Sequence, residues 1–157
     1  MKKFLFDCGT REAPASFGFL VLRVLVGLMM LIGHGIPKMM NYASRKDFFY
    51  VPDFFPLSAL SHPVSLTLCI VAEVLGATLI IIGLATRPAA FVLGFSMVVA
   101  AFGALGATPW FVSTPTLIET KELSIMYLIP LIVIILSGAG GYSLDAFIYR
   151  ESKRRRW

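Results

Sequence analysis

The amino-acid sequence predicts an all-α integral membrane protein, an antiparallel bundle of four transmembrane helices with both termini in the cytoplasm. Three observations point there. The chain of 157 residues is 57% hydrophobic and only 15% charged, with a mean hydropathy of +0.81, far more apolar than an ordinary soluble domain. Windows at residues 17–37, 64–85, 89–107 and 123–139 approach the roughly 20 apolar residues that carry a helix across the hydrocarbon core. The cations are also unevenly divided. With both ends on one side, that side carries Lys2, Lys3, Arg11, Arg87, Arg150, Lys153, Arg154, Arg155 and Arg156, and the other only Lys38, Arg45, Lys46 and Lys121. Short basic segments are retained in the cytoplasm, so the termini and the Thr86-Arg87-Pro88 turn are expected inside.

The same pattern excludes several classes. A β-barrel needs segments of alternating polarity, whereas residues 128–136 are apolar on every face. The pI of about 9.5 is accounted for by topology, so no nucleic-acid partner is expected. Cys8 and Cys69 fall on a cytoplasmic end and inside a helix, which leaves neither a disulfide framework nor a Cys-x-x-Cys redox pair. His34 and His62 lie in different segments, so no metal or haem ligand set is expected. There is no nucleophile elbow and no Walker loop.

Taken in order, Met1-Lys2-Lys3 starts like a secretory signal, but Asp7, Arg11 and Glu12 interrupt the apolar core that a signal requires. Helix 1 is therefore expected to remain in the mature chain. It ends in Gly33-His34-Gly35-Ile36-Pro37-Lys38, where the glycines and the proline are expected to loosen it. The following segment holds Phe48, Phe49, Tyr50, Phe54 and Phe55 among Pro52, Pro56 and Pro63. It is too apolar to wave in water and is expected either to lie on the membrane surface or to fold as a lid. Helix 2 carries Ala72 and Gly76, and helix 3 carries Ser96, Ala100 and Ala104 at four-residue spacing; such small-residue strips read as packing faces. Pro130 removes one backbone donor from helix 4 and is expected to bend it. Ser143 can cap a short amphipathic segment, about 143–157, whose Leu144, Phe147 and Ile148 would rest on the lipid beside a basic tail. Connections this short leave one domain spanning 1–157.

Ionisable side chains inside apolar helices need a partner or an aqueous cavity. Arg23 and Glu73 are the two clear cases. Their levels are expected to differ by roughly 7–8 Å at 1.5 Å per residue, so a buried Arg23–Glu73 pair that docks helix 1 on helix 2 is one reading. The other starts from His34, eleven residues after Arg23 and so on the same helical face. Arg23, His34, Lys38, Glu73, Glu122 and Tyr127 would then line one polar cavity. Its donors beside Met29, Met30, Met39 and Met40 suit a lipophilic molecule with a carbonyl or quinol head.

Arg23 and Gly27, His34-Gly35 with Lys38, Glu73 with Gly76, Gly83-Leu84-Ala85-Thr86-Arg87 and Gly138-Ala139-Gly140-Gly141-Tyr142-Ser143-Leu144-Asp145 together resemble the DoxX family over roughly residues 17–147. The resemblance implies a small four-helix, multi-pass protein of the bacterial inner membrane. It also implies quinone-linked redox chemistry carried out with a separate redox protein, with Arg23, His34, Lys38 and Glu73 as the matched polar set. Three functional classes are carried forward. The first is a quinone-linked accessory subunit of a membrane oxidoreductase, with quinone as its only cofactor and none bound covalently. The second is a non-enzymatic scaffold or assembly subunit. The third is a small-solute transporter, for which four helices are few and a homo-oligomer would be needed. Whether the chain is catalytic at all stays open at this point, and membrane lipids are partners in every case.

Overall fold

The computed structural model describes residues 12–111 and 120–154, with side chains to Tyr149. Cys8 and the charges expected at Lys2, Lys3, Asp7, Arg11, Arg155 and Arg156 lie outside the described residues, as do the side chains of Arg150, Lys153 and Arg154. The described part is helical, with no strand among its residues.

The first helix, α1, runs Ala13–Met40 and includes a π-helical turn at Leu31–Gly35. It starts before the expected position because Pro14 occupies the first turn, where no amide donor is required. It also continues through Gly33-His34-Gly35-Ile36-Pro37 to Met40, loosened at Leu31–Gly35 into a π turn and helical on both sides of it. Pro37 falls in the turn that follows the π segment, again where its missing N–H is tolerated. A further turn at Tyr42–Arg45 and a 3₁₀ turn at Leu57–Ala59 lead to α2, His62–Ile82. The next helix, α3, runs Thr86–Ala104 and ends in a second π segment, Val99–Ala104. Then come α4, Lys121–Ser137, and α5, Leu144–Arg154. Three of these, α1, α2 and α3, are long and apolar enough to cross a membrane; α4 has 17 residues and continues through Pro130.

The α2–α3 connection lies at residues 83–85, not at Thr86-Arg87-Pro88. Gly83 adopts φ 74° and its amide and that of Leu84 both reach back to Leu79 O, at 2.9 and 3.0 Å, which closes α2 with a Schellman-type cap. Thr86, Arg87 and Pro88 are the first turn of α3, where proline is at home.

From α1 to α4 each helix packs antiparallel on the next, and α4 returns to α1. The core is built from Val26 and Met30 of α1, Ala77 and Ile80 of α2, Ala90, Leu93 and Met97 of α3, and Leu131 and Ile134 of α4. Outward-facing Leu25, Leu75, Phe91 and Ile129 are more than half exposed. An apolar interior wrapped in an apolar exterior is the pattern of a chain whose solvent is lipid. Close approach of α1 to α2 rests on glycine. A Cβ on Gly35 would stand 2.9 Å from Val74 Cγ2 and 3.4 Å from Val74 N, and one on Gly27 would stand 2.5 Å from Ile81 Cγ1.

Candidate functional site

Two polar centres sit at different levels of the bundle, one at the end of α2 that bears the 83–85 turn and one around Glu73 at its middle. At the end bearing the 83–85 turn, Arg23 is fully buried. Its guanidinium donates to Ile80 O at 3.0 Å and to Tyr142 O at 2.6 Å; Ile80 O, near the end of α2, also accepts the Gly83 amide at 3.2 Å. The guanidinium also lies against Gly83, where any Cβ would meet Nη1 at 2.2 Å. Beside it, buried Asp145 accepts the amides of Ala85 and Thr86 at 2.8 and 2.9 Å, one on each carboxylate oxygen, while its own amide donates to Gly83 O at 2.9 Å. Asp145 thus supplies from α5 the N-terminal cap that α3 lacks locally, since Ala85 at its N-cap position has no side-chain acceptor. Ser143 accepts the Ala146 amide at 3.1 Å and caps α5 in turn.

The expected Arg23–Glu73 pair does not form. Contact between α1 and α2 sets Arg23 level with Ile80 and Gly83, and Gly35 level with Glu73. The guanidinium thus sits seven to ten residues along α2 from Glu73, roughly 10–15 Å along the axis at 1.5 Å per residue. The levels expected from the sequence were wrong because α1 and α2 are offset along their axes, with Gly27 against Ile81 and Gly35 against Val74, instead of aligned end to end as their apolar windows suggest.

Glu73 instead pairs with Lys38, whose ammonium donates to Oε1. Cys69, one turn before Glu73, places its sulfur 3.5 Å from both Lys38 Nζ and Glu73 Oε1. Glu73 is 1% exposed, and its second oxygen, Oε2, is buried with no hydrogen-bond partner. Nearby, the π turn of α1 presents His34 edge-on to Tyr127 of α4, with ring centroids 5.3 Å apart at 89°.

These groups border a cavity of about 1040 Å³. His34, Lys38, Glu73 and Tyr127 line it, together with Cys69 and Ser124; Arg23 and Glu122 do not. The straight stripe expected from Arg23 to His34 is broken by the π turn, which changes the phase of the helix between them. The second π segment lies on the opposite wall, where Val99, Ala100 and Ala104 border the same space. The aromatic loop closes one end of the cavity. Tyr50 lines it and would collide with any Cβ on Gly103, from which its hydroxyl would be 2.8 Å distant. The loop is tied down by Ser65 Oγ donating to Tyr50 O at 2.7 Å and by His62 Nδ1 at 2.6 Å from Phe49 O. Phe55, 86% exposed, points away, so the loop has both a cavity face and an outward apolar face.

Cys69 and Tyr50 were not singled out as site residues from the sequence. Cys69 carried a usable signal, the four-residue spacing to Glu73 that sets both on one helical face. Tyr50 carried none, because its place depends on how the loop folds back.

The cavity thus combines a buried carboxylate, an ammonium, an imidazole, a thiol, the phenols of Tyr50 and Tyr127 and the guanidinium of Arg45 within largely apolar walls. Such a set can hold and exchange protons with a polar head while a lipophilic body remains in an apolar setting. No curated protein and no solved structure matches the chain. The family model described as DoxX matches residues 18–106, more than half of the 157 residues and the stretch that contributes Arg23, His34, Lys38 and Glu73. The chain is a multi-pass membrane protein and belongs to the DoxX family.

Proposed function

We propose that this protein is a quinone-linked accessory subunit of a redox system in the bacterial cytoplasmic membrane, binding a quinone-like molecule in the cavity. In this reading α4 is a fourth crossing and both termini face the cytoplasm. The observation that carries it is Glu73 Oε2, an acceptor left empty in a buried carboxylate that borders the cavity. A buried, unsatisfied oxygen disfavours the folded state by about 1–3 kcal/mol, so its retention favours a donor that arrives from outside, such as a quinol hydroxyl. Lys38, His34 and Tyr127 supply donors for the carbonyl of the oxidised form. Reduction of a quinone takes two electrons and two protons. The electrons come from a separate redox protein, and His34 and Glu73 are placed to pass the protons.

Extraction of quinones from protein purified in several mild detergents tests the proposal. Wild type should carry quinone, and Glu73→Gln and His34→Ala should carry less at equal helical content. Quinone-free wild type in every detergent would refute it.

A second reading, a non-catalytic scaffold, is favoured by the exposed apolar face of α5, where Leu144, Phe147 and Ile148 are 44–65% exposed. It predicts that deleting residues 147–157 abolishes recovery of a partner while leaving quinone content unchanged.

A further inference from the structure

We infer that the cavity opens sideways into the bilayer between α2 and α3, and that its occupant is a single-tailed amphiphile whose head meets Glu73 while its tail stays in lipid. The inference rests on the reading that the cavity holds a lipophilic ligand, and it adds the route and the shape of that ligand.

The small-residue strips provide the first argument. Read as packing faces, Ala72 and Gly76 of α2 and Ser96, Ala100 and Ala104 of α3 should close the two helices on each other. The helices do touch at Gly76, where a Cβ would lie 3.6 Å from Leu93 Cβ and 3.7 Å from Ala89 O. Yet all five strip residues border the cavity. Small side chains here leave space beside the contact. The second argument is the rim. Leu68, Val71 and Leu75 of α2 and Val92 and Phe95 of α3 both line the cavity and are 45–53% exposed on the lipid-facing surface. A cavity whose wall residues also face lipid on two adjacent helices is open between them. The third is the head site: Glu73 Oε2, buried and unpartnered, borders the same space.

The opening has a defined length and a closed end. Lining residues on α2 run from Ser65 to Leu79, about 21 Å at 1.5 Å per residue, enough for a chain of several isoprene or methylene units. At the loop end, Phe54 stacks edge-on against Phe95 at 6.5 Å, and Tyr50 on Gly103 walls off that direction. A tailed molecule can therefore bring its head to Glu73 without drawing its tail out of hydrocarbon. The tail itself adds little affinity, because lipid is as apolar as the groove; the small residues act by allowing the tail to pass.

The test compares three probes in lipid nanodiscs, corrected for empty discs: decylubiquinol, the tailless 2,3-dimethoxy-5-methylhydroquinone, and 1-monododecanoylglycerol, which offers a tailed hydroxyl head of a different source. The groove is plugged by Ala72→Trp or, on the opposite wall, by Ala100→Phe, using whichever variants retain wild-type elution and helicity. Plugging should weaken both tailed probes by about tenfold or more, the factor equivalent to a steric penalty of 1.4 kcal/mol, and leave the tailless head within about threefold of wild type. Unchanged binding of tailed probes, or equal loss of tailed and tailless hydroquinone, would overturn the inference, as would wild type binding neither tailed probe. Groove-dependent binding of the monoacylglycerol without either hydroquinone would uphold the lateral opening and remove the quinone assignment.

Discussion

Lys38 engages Glu73 from one side only: its ammonium takes Oε1, while Oε2 of the same carboxylate stays buried without a partner. The two ends of the pair are unequally placed, since the Lys38 side chain is 21% exposed and that of Glu73 is 1% exposed. Loss of the lysine strands a buried charge, whereas loss of the carboxylate leaves an ammonium that can turn toward the cavity. Lys38→Met should therefore lower stability by about 3 kcal/mol and Glu73→Gln by less, the range expected when one partner of a buried pair is removed. Lys38→Met combined with Glu73→Gln should recover most of the loss. Thermal unfolding in one detergent across the double-mutant cycle reads the coupling, and strictly additive losses would count against the pair.

The same geometry decides which charge reversal can succeed. Arg23→Glu with Glu73→Arg should not restore the abundance lost in either single variant, because Arg23 is bonded to Ile80 O and Tyr142 O at the end of α2 that bears the 83–85 turn. Lys38→Glu with Glu73→Lys keeps opposite charges in contact and should restore part of it. Membrane abundance by immunoblot distinguishes the two, and rescue by the first swap would show that the charges meet.

Arg23 shows where the sequence was legible and where it was not. That a buried arginine in an apolar helix must be satisfied followed from the cost of an unpaired charge in hydrocarbon. Its partner did not follow, because the carbonyl of Tyr142 lies 119 positions away and backbone acceptors carry no side-chain signature. Lys38 was grouped with His34 and Glu73, beside which it stands, but was not paired with Glu73, since the pairing depends on the π turn at Leu31–Gly35, which leaves no pattern in residue type. The α1–α3 spans were readable within a few residues because apolar length is a direct physical requirement. The small-residue strips were read as contact, yet they border a void; spacing alone cannot tell close approach from a gap.

Gly35 supports the site by letting α1 approach α2 beside Glu73. Gly35→Ala would place a Cβ 2.9 Å from Val74 Cγ2, and overpacking of this kind destabilises by about 1–3 kcal/mol. The nearest obstacle is a single methyl group, so Val74→Ala in the same chain should return much of that loss although it removes apolar volume. Unfolding temperatures of the two single variants and the double variant check this, and a double variant less stable than Gly35→Ala alone would contradict it.

At the end bearing the 83–85 turn, Asp145 holds two amides of α3 from a helix that follows it by more than fifty residues. Asp145→Ala leaves the amides of Ala85 and Thr86 without acceptors, and loss of an N-cap acceptor costs about 1–2 kcal/mol. Asp145→Asn retains one carbonyl oxygen and should lie between the alanine variant and wild type. Amide hydrogen exchange at Ala85 and Thr86 should accelerate in the same order, with the amides of Tyr127 and Leu131 unchanged. Equal exchange at both pairs of sites would indicate global loosening instead of a lost cap.

Tyr50 is the point at which the aromatic loop meets α3, and Gly103 is what allows it to sit there. Gly103→Ala would set a Cβ 2.8–3.1 Å from the hydroxyl and ring of Tyr50, displacing the phenol while leaving the Ser65 bond to Tyr50 O available. The loop should then open at its tip but remain tethered at its end near α2. Arg45 is exposed and the adjoining Lys46 half-buried, so trypsin cleavage there, followed by mass spectrometry of protein in nanodiscs, reads the change. Gly103→Ala should be cut faster than wild type, and adding Tyr50→Ala, which removes the clashing ring, should not slow it because the same anchor is lost. A double variant cut at the wild-type rate would show that the Tyr50 contact does not hold the loop.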